Sequence, residues 1–304
     1  MNTLVTTQRR SLLHMISRRA LLLRAGAALA GLGLVGCTST QPAPAPTPAP
    51  KTKAAGPTLV MATSELVVGR NRFAVGILDD ANKPIVDASV TFGFFQLAGT
   101  EGTKRAEAPA TFRWVDEQTR GIYTAPVDLD APGKWGIEAA VEKGGQKHVI
   151  RSTFDVKATG SAPMIGSPAI RSKTLTPGDV KDPTELCTAG PPCELHATSL
   201  DQILASGRPT VVLFASPGYC TSATCAPQLG VLLQAKPRHG DAVAFAHVEI
   251  FKDPRNQVLA DAVIEWKLPS EPWMFFIDKS GTIVERFDGI ATTDEIDAGI
   301  ARIV

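Results

Sequence analysis

The chain has 304 residues, 44% of them apolar and 20% charged, with a net charge of +1, so it can bury sizeable cores and is neither a disordered protein nor a polyanion binder. Its length points to two compact units with non-globular ends rather than one small fold. Five of the positive charges are arginines within residues 1–36, which hold no acid, so the rest of the chain is acidic overall.

A basic stretch through Ser17, Arg18 and Arg19 leads into an apolar run over residues 25–35 that is too short to span a membrane. Arg18-Arg19 before this run resembles a twin-arginine export signal. Leu34-Val35-Gly36-Cys37 resembles the lipobox of bacterial lipoproteins, in which the cysteine becomes the lipidated N-terminus after cleavage. The resemblance implies a signal peptide over residues 1–36, lipidation at Cys37, and an extracytoplasmic protein tethered to the bacterial cell membrane. Residues 37–57 are rich in proline and alanine with no apolar face, which predicts a semi-rigid polyproline II spacer.

Residues 58–157 read as an all-β sandwich. Short segments with period-2 alternation lie at 65–68, 72–78, 89–95, 110–115, 133–141 and 149–156, separated by turn residues such as Asp79 to Asn82 and Glu142 to Gly145, and no amphipathic helix interrupts them. Gly121-Ile122-Tyr123-Thr124-Ala125, followed by Asp130 to Trp135, resembles the late strands of immunoglobulin-like modules on bacterial surface proteins. Trp114 and Trp135 each sit in an alternating strand and are expected to plug the core. Residues 158–186 lack periodicity and read as a linker or an extended arm lying on a neighbour.

From residue 187 to the C-terminus the pattern alternates between helix and strand. Ser199 to Gln202 has the form of a capping box opening a short helix; 210–215 is a continuous apolar run, hence a buried strand; 228–236 is helical by period; 243–250 is a strand; 257–266 is a helix; 273–278 and 282–287 form a hairpin through Gly281; Thr292 and Glu295 cap a last helix. This β-α-β-α-β-β-α order resembles the thioredoxin fold over residues 199–304. The strand 211–215 runs straight into Pro217-Gly218-Tyr219-Cys220, Pro227 lies in the following helix, and Ser270-Glu271-Pro272-Trp273 opens the hairpin where that family places a cis proline facing its cysteines.

The family uses Cys-x-x-Cys, whereas here four residues separate Cys220 from Cys225. Were both helical, their Cα atoms would lie roughly 8 to 9 Å apart, beyond the about 7 Å that a disulfide bridges. The pair can close only if Cys220 precedes the helix, Ser222 or Thr224 caps it, and Cys225 lies in its first turn, where free amides favour a thiolate. The resemblance implies a redox dithiol that exchanges disulfides with exported proteins, Cys220 and Cys225 carrying the chemistry and Tyr219, Glu271, Pro272 and Trp273 forming the surface that meets the client. Two alternatives stand beside it: a non-catalytic binding or scaffold lipoprotein with static disulfides, engaging an unidentified envelope partner, and a peroxiredoxin-like thiol peroxidase using the same Cys-x4-Cys pair.

Cys187 and Cys193 bracket Gly190-Pro191-Pro192 outside any strand-to-helix context and are expected to close that turn as a structural disulfide; a redox relay with the 220/225 pair is the alternative. Copper chaperones of the Sco type combine this fold with Cys-x-x-x-Cys and a distal histidine, but the spacing here is one residue longer. His247 alternates with Val243 and Phe245 as a core position, and His196 and His239 read as loop residues, so no metal site is assigned. Glu249 and Lys252 lie at the carboxyl end of a strand, which reads equally as a functional sheet edge or as a solvated end, and neither is taken as a site residue. No phosphate loop, Ser/His/Asp set or paired carboxylates stand out, so no cofactor and no nucleic-acid partner are expected.

Overall fold

A computed structural model of the chain describes residues 56–99, 101–116 and 120–304. The expected signal peptide, Cys37 and the spacer up to residue 55 lie outside the described residues. Among the described residues no helix is long and apolar enough to cross a membrane.

The N-terminal part is two facing sheets. Strands β1 (Thr58–Met61), β2 (Leu66–Val67), β3 (Gly69–Leu78), β4 (Ser89–Ala98), β5 (Glu101–Pro109), β6 (Thr111–Asp116), β7 (Arg120–Leu129), β8 (Gly133–Lys143) and β9 (Gln146–Lys157) follow one another with no helix between them. They form sheets of order β1-β3-β7-β6 and β2-β9-β8-β4-β5. Alternation decides which side chains enter the shared core: Phe73, Val75 and Tyr123 from one sheet meet Phe92, Phe94, Trp135 and Phe154 from the other. Phe73 packs edge-on against Phe92 and Phe94, with ring centroids 5.3 and 5.1 Å apart. Polar tips are satisfied in place: Trp135 Nε1 donates to Ala131 O at 3.0 Å, and Tyr123 Oη donates to Ile85 O at 3.0 Å while accepting from Ala88 N. Trp114, expected in the core, is 39% exposed and leans edge-on against Phe112, because its strand β6 is the rim of its sheet.

Residues 158–186 run as an arm along the C-terminal part. Gly166 N donates to Ile283 O, Ile283 N to Ser167 O, and Ala169 N to Gly281 O, each at 2.8 to 3.0 Å. The C-terminal elements are α1 (Leu200–Ala205), β10 (Thr210–Ala215), α2 (Cys225–His239), β11 (Ala244–Glu249), β12 (Phe251–Asp253), β13 (Val258–Leu259), α3 (Asp261–Glu265), β14 (Trp273–Ile277), β15 (Ile283–Asp288) and α4 (Thr293–Ile300). The central sheet has the order β11-β10-β14-β15, with β10 and β11 parallel and the other pairs antiparallel. One face packs Val212, Phe214 and Phe275 against α1 and α3; the other packs Val211, Leu213, Met274 and Phe276 against α2 and α4. The Glu271-Pro272 bond is cis.

Two sequence expectations change here. The helix expected over residues 257–266 shrinks to α3, since Val258 and Leu259 pair with Phe251 to Asp253 instead. Ser199 does not cap α1 through its side chain: its Oγ accepts from Thr174 N at 2.8 Å, and Thr174 Oγ1 in turn accepts from Leu200 N. At α4 the Thr292/Glu295 capping box is present, with Thr292 N donating to Glu295 at 3.1 Å.

Residues 53–304 cluster as one compact unit, and polar groups stitch its layers together. Arg72 on β3 makes a bidentate pair with Glu295 on α4 at 2.7 and 2.8 Å and donates to Ile290 O. Buried Asp288 accepts from Ser64 Oγ at 2.7 Å, from Glu65 N at 2.8 Å and from Ser64 N; its burial pushes the carboxyl above the usual range. Gly289, at φ +72°, brings its Cα so close to Ala62 that an added Cβ would sit 2.2 Å from Ala62 O.

Candidate functional site

Strand β10 ends at Ala215, and the chain turns through Ser216 to Thr224 before α2 begins at Cys225. Ala223 adopts φ +55°, which folds the loop back so that Ala223 N donates to Cys220 O at 3.2 Å. Cys220 thus precedes the helix and Cys225 opens it, the placement the spacing requires for the sulfurs to meet. Their Sγ atoms and a Glu271 carboxylate oxygen all lie within 4.8 Å of one another. Thr224 is the N-cap residue but makes no side-chain cap bond; its hydroxyl is bonded to Ser222 Oγ at 2.7 Å.

The two sulfurs differ in access and in acidity. Cys220 is partly exposed, while Cys225 is fully buried. The hydrogen bond from Cys225 brings the Cys220 thiol down to about 4 against the opposing effect of burial, helped by Ser222 Oγ at 3.1 Å and by the amides of Cys225 and Thr224. The same shared proton, with burial, pushes the Cys225 thiol far above the usual thiol range, so the first-turn cysteine is not the thiolate that its helix position predicts. Glu271 accepts from Cys225 Sγ at 3.5 Å and from Ser216 N at 3.0 Å; burial, then the charge of Cys220, pushes its carboxyl up to about 7. The arrangement is a nucleophilic thiolate at a helix mouth, a buried partner thiol and a carboxylate poised to take that thiol's proton.

The remaining expected site residues divide. Tyr219 is 48% exposed beside Cys220 and, with Glu271, lines a groove of about 1050 Å³ between the 219–224 loop and the sandwich residues Ala62 and Ile122, with Gly289 of the C-terminal part also on its wall. Pro272 precedes β14 and its carbonyl accepts from Gly289 N at 2.9 Å. Trp273 is not on the client surface: it is 1% exposed, its ring stacks on Phe275 at 5.8 Å and lies under the Arg286 guanidinium, because alternation along β14 turns it into the core.

Cys187 and Cys193 are free thiols in the structure rather than the expected disulfide. Both sulfurs face His247 Nδ1, at 3.7 and 3.4 Å, and His196 Nε2 lies 2.9 Å from the same nitrogen. Alternation on β11 sends His247 and Glu249 to the α2 side of the sheet, and Leu195 O accepts from His247 N at 3.0 Å, which draws the 193–196 segment along the strand. Glu249 is not a solvated end: its Oε2 accepts from Thr188 N and Oγ1 at 2.9 and 2.8 Å, and Thr188 Oγ1 accepts from Gly218 N in the Cys220 loop at 3.0 Å. His239 lies apart, bonded to Asp297 at 2.8 Å. The histidine contacts escaped the sequence reading because the loop and strand that carry them are far apart in the chain; the signal within reach was Cys187-x5-Cys193-x2-His196, a ligand-like spacing.

No protein-family model matches the chain, and no curated protein matches it. Among solved structures, a thioredoxin-family thiol:disulfide interchange protein from Chlorobium tepidum is 14% identical, with a TM-score of 0.29, over 35% of this chain and 85% of its own. A DUF4426 family protein from Pseudomonas aeruginosa is 20% identical, with a TM-score of 0.23, over 30% of this chain and 77% of its own. MtrC from Shewanella baltica is 13% identical, with a TM-score of 0.26, over 35% of this chain and 23% of its own.

Proposed function

We propose that the chain is a thiol–disulfide oxidoreductase of the cell envelope that acts on exported proteins. The observation that carries this reading is the pairing of a partly exposed, strongly acidic Cys220 with a buried Cys225 whose sulfur lies within 4.8 Å of it and against Glu271. Export and anchoring rest on the twin-arginine and lipobox patterns, with Cys37 as the lipid-bearing residue and residues 41–50 as part of the spacer from the membrane.

In the reducing direction the Cys220 thiolate attacks one sulfur of a client disulfide. The client S–S bond breaks as the mixed disulfide forms, and the departing client thiolate takes a proton from water. Cys225 gives its proton to the Glu271 carboxylate and attacks Cys220 Sγ; the second client thiolate leaves and takes that proton from Glu271, so a Cys220–Cys225 disulfide and a client dithiol remain. Two electrons pass from enzyme to client, and every step reverses. A thiol held near 4 stabilises the reduced pair, which favours oxidation of client dithiols over their formation. The groove beside Tyr219 and Glu271 is open enough to seat an extended client segment.

The decisive experiment mixes the oxidised chain with a reduced dithiol peptide. Peptide disulfide should form, activity should vanish in Cys220→Ser, and Cys225→Ser, offered the peptide in its disulfide form instead, should accumulate a mixed disulfide through Cys220. A folded wild-type chain that neither oxidises the peptide nor reduces insulin would refute the assignment.

A further inference from the structure

We propose that Cys187, Cys193, His196 and His247 form a tetrahedral zinc(II) site that braces the loop carrying Cys220. The four candidate ligand atoms lie within 4.8 Å of one another. Zinc bonds of about 2.3 Å to sulfur and about 2.0 to 2.1 Å to nitrogen place tetrahedral ligands with sulfur–nitrogen separations of roughly 3.5 Å. Cys193 Sγ and Cys187 Sγ stand 3.4 and 3.7 Å from His247 Nδ1, on either side of that value.

The histidine chemistry points the same way. His247 Nε2 lies 3.0 Å from Ala215 O, and a carbonyl only accepts, so the ring proton is on Nε2 and Nδ1 carries a lone pair. Three groups, two thiols and His196 Nε2, converge on that one lone pair. Cys187 also hydrogen-bonds Cys193 and His196, so all four groups close on one point, which a single cation would serve as their shared centre. The bond from a ligating imidazole's other nitrogen to a backbone carbonyl is also the outer-shell support that fixes such a ring on a metal.

The donor set selects the ion. Two thiolates and two imidazoles, with no carboxylate among them, suit a thiophilic cation over magnesium or calcium. Four protein ligands fill zinc's preferred coordination and leave no open position, which describes a structural rather than a catalytic centre. On binding, each thiol releases its proton to water, so two thiolates balance the dipositive ion and the buried cluster is neutral overall. Cys187, His196 and His247 are all buried, which favours a neutral assembly.

The site reaches the redox loop by short paths. His247 bonds Ala215 O, and the next residue, Ser216, donates to Glu271; Thr188, one residue beyond Cys187, accepts from Gly218 N. The assignment stands whether or not Cys220 and Cys225 exchange disulfides.

The test uses the full chain purified in detergent under reducing conditions, stripped by chelator and titrated with cobalt(II), in parallel with the Cys220→Ser/Cys225→Ser form so that the other thiol pair contributes nothing. One cobalt per chain should bind in both, with tetrahedral d–d bands and thiolate-to-cobalt charge transfer, and stoichiometric zinc should bleach the spectrum and raise the melting temperature. His247→Ala and Cys193→Ser, checked by far-UV circular dichroism, should lose the charge-transfer band. Should those variants unfold, X-ray absorption of the zinc-loaded wild type should read two sulfur and two nitrogen neighbours. Uptake unchanged in a folded His247→Ala, no uptake by the reduced wild type, or a 187–193 disulfide in freshly isolated protein would each overturn the proposal.

Discussion

Glu271 sits directly against Cys225, its carboxylate accepting from the buried sulfur at 3.5 Å while Ser216 N holds the same oxygen at 3.0 Å. A base in this position should limit the second half of thiol exchange, in which Cys225 must lose its proton. In the reduced chain burial and the Cys220 charge push the Glu271 carboxyl up to about 7; the mixed disulfide removes that charge but not the burial, so its release should accelerate with rising pH through an inflection below that value. Glu271→Gln should slow that step by roughly 10²-fold and remove the inflection, while leaving the first attack by Cys220 nearly unchanged. Stopped-flow kinetics of mixed-disulfide decay would read both; an inflection that survives in the Gln variant would show that another group takes the proton.

The same carboxyl has a stability signature. Its folded value lies above the ordinary 4.5, so the folded chain holds the proton more tightly than the unfolded one. The favourable contribution of the neutral acid is complete below about 4.5 and is lost as the pH rises through about 7. Urea titrations of wild type and Glu271→Gln should therefore diverge across that window, with the Gln variant the more stable at its upper end; parallel curves would contradict the raised value.

Cys220 behaves in the opposite sense. Its thiol is drawn down to about 4, so alkylation of the reduced chain by iodoacetamide should be half-maximal near pH 4 and flat through neutrality, with Cys225 untouched in the folded protein. The folded value lies below that of an ordinary thiol, so the stability contributed by the thiolate is present above the ordinary thiol range and fades as the pH falls toward about 4. The reduced chain should lose stability relative to the oxidised chain over that interval, as paired thermal melts would show. A labelling midpoint in the ordinary thiol range would remove the basis for an oxidising role.

The tryptophans separate what alternation reveals from what it hides. Trp135 and Trp114 occupy similar positions in alternating strands, yet one is fully buried with its indole bonded to Ala131 O and the other is 39% exposed on a rim strand. Trp135→Ala should cost about 3 to 5 kcal/mol, and Trp114→Ala under about 1 kcal/mol, measured by denaturant unfolding. Equal losses would mean that β6 is packed as a central strand.

Period and punctuation made much of the fold legible: six of the nine described sandwich strands, the buried run 210–215, the hairpin through Gly281 and the capping box at Thr292 all follow from local pattern. Spacing arithmetic also placed Cys220 before a helix and Cys225 in its first turn. Elements whose form depends on a distant partner were not legible. β5 is nearly all exposed and charged, and it is a strand because β4 offers it an edge. Val258 and Leu259 leave the expected helix to pair with β12, and Ser199 gives its oxygen to Thr174. The Cys187, Cys193, His196 and His247 cluster joins a loop to a strand through Leu195, a pairing no local signal announces.

Arg72 and Glu295 join the sandwich to the last helix through a bidentate pair in which both side chains are largely buried. Burial, which alone would raise the Glu295 carboxyl, is outweighed by the Arg72 hydrogen bond and charge, so the carboxyl lies below its usual range. Removing Arg72 leaves the largely buried Glu295 with Arg113, at 3.4 Å, as its remaining cationic partner, and Arg72→Ala should cost about 2 to 4 kcal/mol. Replacing both, as in Arg72→Met/Glu295→Leu, should recover part of that loss, since the buried pair is removed together while α4 loses its capping-box carboxylate. Because Ile290 O also accepts from Arg72 and lies beside Gly289, which meets Ala62 of the sandwich, the single variant should loosen this seam ahead of either core. Hydrogen exchange would show it as early deuteration of residues 288–296 with Val211 to Phe214 still protected. Simultaneous exchange of both regions would instead mean that the sandwich and the C-terminal sheet open as one cooperative body.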